Sequence, residues 1–184
     1  MLRLARGAWV EQAKLLAADP HAFDLFGSAV ALGGRRLAIG ALGAQTDGVR
    51  VGAVYVFEKQ AAGWIQEAKL VASDPDDLDF FGRSVALTAD GKRLIAGADD
   101  DDGGGHDAGA AYVFRREGAA WVQEAKLSDV AGGNFGTSVA ISGRTCAVGA
   151  PFADFYEGAA FLFRHGDEGW FLHAKIEASD ETFF

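Results

Sequence analysis

Four short segments recur in constant order along this chain, and the recurrence restricts its fold more than any other feature. The first opens on tryptophan: Trp9-Val-Glu-Gln-Ala-Lys-Leu15, Trp64-Ile-Gln-Glu-Ala-Lys-Leu70, Trp121-Val-Gln-Glu-Ala-Lys-Leu127 and Trp170-Phe-Leu-His-Ala-Lys-Ile176, with the tryptophans 55, 57 and 49 residues apart. The second is Phe26-Gly-Ser-Ala-Val-Ala-Leu32, Phe81-Gly-Arg-Ser-Val-Ala-Leu87 and Phe135-Gly-Thr-Ser-Val-Ala-Ile141. The third is Arg36-Leu-Ala-Ile-Gly-Ala41, Arg93-Leu-Ile-Ala-Gly-Ala98 and Thr145-Cys-Ala-Val-Gly-Ala150. The fourth is Gly52-Ala-Val-Tyr-Val-Phe57, Gly109-Ala-Ala-Tyr-Val-Phe114 and Gly158-Ala-Ala-Phe-Leu-Phe163. A period of about 50 residues implies stacked units that share their cores.

Each segment reads as a strand. Tyr55 and Phe57 alternate with Val54 and Val56, the period of a pleated, two-sided surface. The Leu-Ala-Ile-Gly-Ala type is short and apolar throughout, as in a strand buried on both faces. The tryptophan segment is rich in helix formers. Its alternation, with Trp64, Gln66, Ala68 and Leu70 against Ile65, Glu67 and Lys69, makes it an outer strand with charge at the edge. Twenty-five glycines against three prolines supply tight turns between them. The expected fold class is therefore all-β: a β-propeller of four-stranded antiparallel blades, with about three blades present. Residues 1–184 form one propeller segment: 1–25 hold the remnant of a preceding blade, 26–80 the first blade, 81–134 the second, and 135–184 the third with the start of the next. Phenylalanines and tryptophans are expected as wedges between blades.

The motifs resemble the FG-GAP repeat of integrin alpha-chain propellers and of bacterial surface proteins. Phe-Gly-x-Ser-Val-Ala, Gly149-Ala-Pro151 and Gly-Ala-x-Tyr-Val-Phe carry the resemblance. It implies a non-catalytic module for protein interaction or cell-surface scaffolding, with extracellular or cell-surface residence. A lectin-like, carbohydrate-binding propeller and a calcium-binding stalk are the alternatives. Integrin-type repeats hold calcium in acidic loops between the first two strands. Here those turns are Gly33-Gly-Arg35, Thr88-Ala-Asp-Gly-Lys92 and Ser142-Gly-Arg144, with at most one carboxylate each. Calcium requires six to eight oxygens, so no cofactor is expected and calcium is not favoured. Both ends cut a repeat, so we expect a piece of a longer protein or a chain that closes by self-association.

A net charge of −9 excludes nucleic acid, which demands a basic face, and is wrong for an anionic membrane surface. No run reaches the length of a membrane-spanning helix, so no membrane insertion is expected. The lone Cys146 reads as a buried small hydrophobe. Four histidines (His21, His106, His165 and His173) show no metal-ligand spacing, and Ser28, Ser84 and Ser138 recur at one strand position as structural residues do. No nucleophile, base and orienter assemble, so an enzyme is not expected.

Binding is expected at the blade-connecting loops, to a protein partner or a glycan. Pro151, Phe152, Phe155 and Tyr156 form the most aromatic loop and are the candidate partner contact, exposed or folded over the blade edge. Asp99, Asp101 and Asp107, with His106, are the candidate cation ligands. A solvated, self-repelling loop is the favoured reading there, because four successive acids cannot all face one ion. Asp19, Asp74, Asp129 and Asp180 are expected to cap turns through nearby backbone amides.

Overall fold

The computed structural model describes residues 2–5, 7–103, 108–128 and 133–178. Among these residues sixteen strands follow in chain order: β1 Leu2–Ala5, β2 Ala8–Glu11, β3 Phe26–Gly33, β4 Arg36–Ala41, β5 Gln45–Thr46, β6 Val49–Arg50, β7 Ala53–Gln60, β8 Gly63–Leu70, β9 Ser84–Leu87, β10 Arg93–Ala98, β11 Ala110–Glu117, β12 Ala120–Leu127, β13 Ser138–Ser142, β14 Thr145–Ala150, β15 Ala159–His165 and β16 Trp170–Glu177. Three four-stranded antiparallel sheets result, ordered β3-β4-β7-β8, β9-β10-β11-β12 and β13-β14-β15-β16. They are the blades of a partial propeller whose sheets do not close into a ring. The inner strands pack side by side, β3 on β9 and β9 on β13.

The tryptophan segments are strands in all three sheets, so their helix-forming residues are overridden by packing. Their alternation is broken by a bulge. Val56 faces Ala68 while the next residue, Phe57, faces Gln66, which leaves Glu67 as the extra residue. The same shift leaves out Glu124 in β12 and His173 in β16. A bulge re-aims its side chain, and Glu67 and Glu124 both turn toward the next blade.

The phenylalanine of Phe-Gly begins its strand in the first blade only. Phe81 and Phe135 lie just outside β9 and β13 and form isolated parallel bridges to Gly52 and Gly109 of the preceding blade. The same left-handed φ, between 55° and 101°, flanks the phenylalanine in all three blades, at Leu25 and Gly27, Phe80 and Gly82, and Asn134 and Gly136, so the motif's backbone is shared and only the pairing partner differs.

The core consists of the interfaces between blades. Each blade presents large rings on one face and small aliphatic residues on the other. Phe81, Leu94, Tyr112 and Phe114 of the second blade pack on Ala38, Val54, Val56 and Leu70 of the first. Phe135, Cys146, Phe161 and Phe163 of the third pack on Ile95, Ala111, Val113 and Leu127 of the second. Within a blade the ring of Phe-Gly stands edge-on to the rings of the third strand, as Phe81 does to Tyr112 (5.5 Å) and Phe114 (5.9 Å). Cys146 is 1% exposed, and burial pushes its thiol up to about 12. It packs as an inert hydrophobe.

Candidate binding surface

Antiparallel meanders send their short hairpins to one rim and their longer loops to the other. The loop rim carries the aromatic candidates. Between β14 and β15, Ala153–Tyr156 make one helical turn whose Asp154, Phe155 and Tyr156 have φ of 52°, 59° and 75°. Three successive non-glycine residues in the left-handed region store strain, which persists only where the surroundings enforce it. Ala153, fully buried in the core between the second and third blades, is the anchor. Lys175 holds Asp154 at 2.6 Å from the side. The turn therefore points its rings outward: Phe155 is 99% exposed, Tyr156 80% and Phe152 52%, with Pro151 exposed beside them. Phe152 and Tyr156 meet edge-to-face at 5.6 Å. Of the two placements open from the sequence, the exposed one is found.

The acidic candidates on the same rim are engaged by protein cations. Asp101, 2% exposed, accepts from Lys126 Nζ at 2.9 Å and from the Tyr112 hydroxyl at 2.5 Å. Asp99 lies 3.3 Å from Arg83, and burial holds its carboxyl above the ordinary range. An incoming cation would have to displace Lys126 from Asp101. Asp107, the third candidate, lies outside the described residues, as does His106. Among the described residues no group of three or more His, Cys, Asp or Glu side chains is placed to hold a metal. In the three inner-strand turns the one carboxylate, Asp90, accepts from Thr88 Oγ1 at 2.7 Å and from the Lys92 amide at 3.0 Å. One engaged carboxylate falls short of the six to eight oxygens that calcium takes.

Asp19 and Asp74, expected to cap turns, also bind across the junction. They reach the lysines of the next blade's outer strand, Lys69 at 2.7 Å and Lys126 at 2.8 Å. Those lysines also lie over the Tyr55 and Tyr112 rings. Burial works against the Asp74 carboxylate, but hydrogen bonds from Lys126 and Tyr112 outweigh it and hold its pKa below the usual range. Asp24 and Asp79 cap turns as well, accepting from the amides of His21 and Asp76 at 2.7 Å. Asp129 and Asp180 lie outside the described residues.

Asp79 is 3% exposed, and burial raises its carboxyl to about 6. A raised carboxyl favours the folded state while protonated, so its contribution is complete below the unfolded value near 4. It is lost as pH rises toward 6. Asp79→Asn keeps the acceptor for the Asp76 amide and removes the buried charge. We expect it to stabilise the protein by about 2 kcal/mol at pH 7.5 and to be nearly neutral at pH 3.5. Urea titrations at the two pH values check this, and an equal effect at both would refute the assignment.

Sequence reasoning missed the bulge carboxylates and Asp79. The recurrence of Glu at the fourth position of Trp-x-x-Glu-Ala-Lys-Leu was the available signal for the former.

The FG-GAP repeat family model matches the chain at three successive regions, residues 9–57, 64–114 and 121–163. A search of curated proteins by sequence returns no match. Among solved structures, the crystal structure of Saccharomyces cerevisiae Sqt1 is similar, with a TM-score of 0.58 at 11% identity. The likeness covers 85% of this chain and 37% of that one, and at this identity it speaks to the fold alone.

Proposed function

The chain belongs to the FG-GAP repeat family, and from that premise we propose that it is a non-catalytic protein-interaction module, resident outside the cell or at its surface. The observation that carries the reading is the aromatic turn at Phe152–Tyr156. An almost fully exposed phenylalanine in a left-handed backbone costs folding energy on two counts, desolvation left unrealised and backbone strain. A protein partner that buries the ring realises the hydrophobic gain, and the strained backbone serves to hold the ring ready for it. Aromatic side chains on a rigid support are what interface centres are made of. No helix among the described residues is long and apolar enough to cross a membrane.

The test uses Phe155→Ser and Tyr156→Ser. Both side chains touch water, so each variant should melt within about 0.5 kcal/mol of the parent. Immobilised parent chain should retain a protein from an extract of the source organism that both variants lose. Retention of the same proteins by parent and variants, or of none by the parent, would overturn the reading.

A further inference from the structure

The opposite rim carries the hairpins and is chemically its inverse. In a chain of net charge −9, this rim gathers cations. Between the second and third blades it opens into a cleft of 510 Å³ lined by Lys92, Arg93, Arg115, Arg116 and Arg144, with Asp90 as its one acidic wall residue. The cleft exists because the inner turns differ in length. Thr88–Lys92 is five residues long, Gly34-Arg35 and Gly143-Arg144 only two. Toward the first blade the long turn packs tightly, so a Cβ on Gly34 would lie 2.8 Å from the Asp90 carbonyl oxygen. Toward the third blade, the short Gly143-Arg144 turn and the Thr88–Lys92 turn both line the opening.

The guanidiniums are fixed in place. Arg144 donates from Nε to the His165 carbonyl at 2.9 Å and from Nη2 to the Gly166 carbonyl at 3.1 Å, contacts that orient its charge without neutralising it. Arg93 is forked onto Glu124 at 3.0 and 3.1 Å, Arg116 donates Nε to Glu67 at 2.6 Å, and Arg115 pairs with Glu117 and, at 3.4 Å, with Glu124, so Lys92 and Arg144 carry most of the charge open to a ligand. A guanidinium has five donors, so each keeps N–H groups for a ligand. The one wall carboxylate, Asp90, is occupied by Thr88 and the Lys92 amide.

We propose that this cleft binds a polyvalent oxyanion, a sulfate or phosphate ester. Planar forks held at fixed positions match tetrahedral oxyanions bidentately, and Lys92 adds a mobile point charge. The volume suits one or two sugar-sized units. Two sources share this chemistry, the sulfate ester of a glycan and a free phosphate.

The test is calorimetric titration of the whole chain at constant ionic strength with three probes: a sulfated disaccharide, its unsulfated counterpart and inorganic phosphate. We expect saturable 1:1 binding of at least one charged probe and none of the unsulfated sugar. Binding of the sulfated disaccharide alone assigns the glycan source, and binding of phosphate as well assigns a general oxyanion site. Lys92→Glu, which alters an exposed side chain, should weaken binding about tenfold. Arg144→Lys keeps the charge, loses the fork, and should weaken it less. Absence of saturable binding, or binding indifferent to both substitutions, overturns the proposal.

Discussion

Gly97→Ala is expected to separate the second and third blades and to cost more than about 4 kcal/mol, enough to leave much of the chain unfolded at room temperature. A Cβ at Gly97 would stand 1.9 Å from the carbonyl oxygen of Gly136 and 2.5 Å from Ser84 Oγ. Backbone from the neighbouring blade cannot move aside without withdrawing the adjoining Phe135, fully buried in the same interface. The contact is a built joint. Gly136 O accepts from Ser84 Oγ at 2.7 Å, and in the preceding junction Gly82 O approaches Gly40 while Ser28 Oγ points at it from 3.5 Å. The two halves of the family motif thus meet across blades: Phe-Gly of one lies on Gly-Ala of the one before, and the recurrent serine stitches them. Gly149 occupies the same place in the third blade, where, among the described residues, an added Cβ would crowd only the Ser138 hydroxyl, a group free to rotate. Gly149→Ala should therefore cost less than about 1 kcal/mol. Chemical denaturation of the two variants side by side decides the matter, and equal losses would sink the argument.

That joint also shows what the sequence made legible. Repetition disclosed the strands, their order and the ring wedges, because packing on both faces leaves each strand a fixed alphabet of residues. Ser28, Ser84 and Ser138 were readable as structural for the same reason. The bulge was not readable. Inserting one residue leaves composition unchanged, and simple alternation put Glu67 and Lys69 on one side when the chain re-aims Glu67 toward the next blade. The cross-junction role of the aspartates was not readable because sequence gives separation along the chain only. Asp74 and Lys126 are 52 residues apart and meet at 2.8 Å because blades stack with their loops in register. The exposed turn at Phe155 was legible as aromatic. Its left-handed backbone, which decides exposure, follows from the burial of Ala153, and that is a fact of tertiary structure.

Glu67→Ala is the second large effect we expect, a loss of about 3 kcal/mol or more at neutral pH. Glu67 is 11% exposed and sits between two guanidiniums, Arg36 of its own blade at 2.7 Å and Arg116 of the next at 2.6 Å. Burial works against its charge, but the hydrogen bonds from Arg36 and Arg116 outweigh it and depress its pKa. Removing the carboxylate leaves Arg36, 9% exposed, with Glu58 alone, and leaves Arg116 without this bond across the junction. Breaking one side of a largely buried pair costs more than the pair contributes, because the remaining charge stays desolvated. The pH dependence has a defined sign. A depressed carboxylate contributes fully above its unfolded pKa, and that contribution is lost as pH falls through the folded value. The gap between parent and Glu67→Ala should therefore be constant above about pH 6 and narrow steadily below the ordinary glutamate range near 4.3. His173 occupies the same bulge in the third blade and is exposed, with no blade described beyond it. His173→Ala should be close to neutral. Urea titrations of both variants from pH 3 to pH 7.5 read the two effects. If Glu67→Ala proves as mild as His173→Ala, the bulge is a feature of strand geometry, and the junction is held by its rings alone.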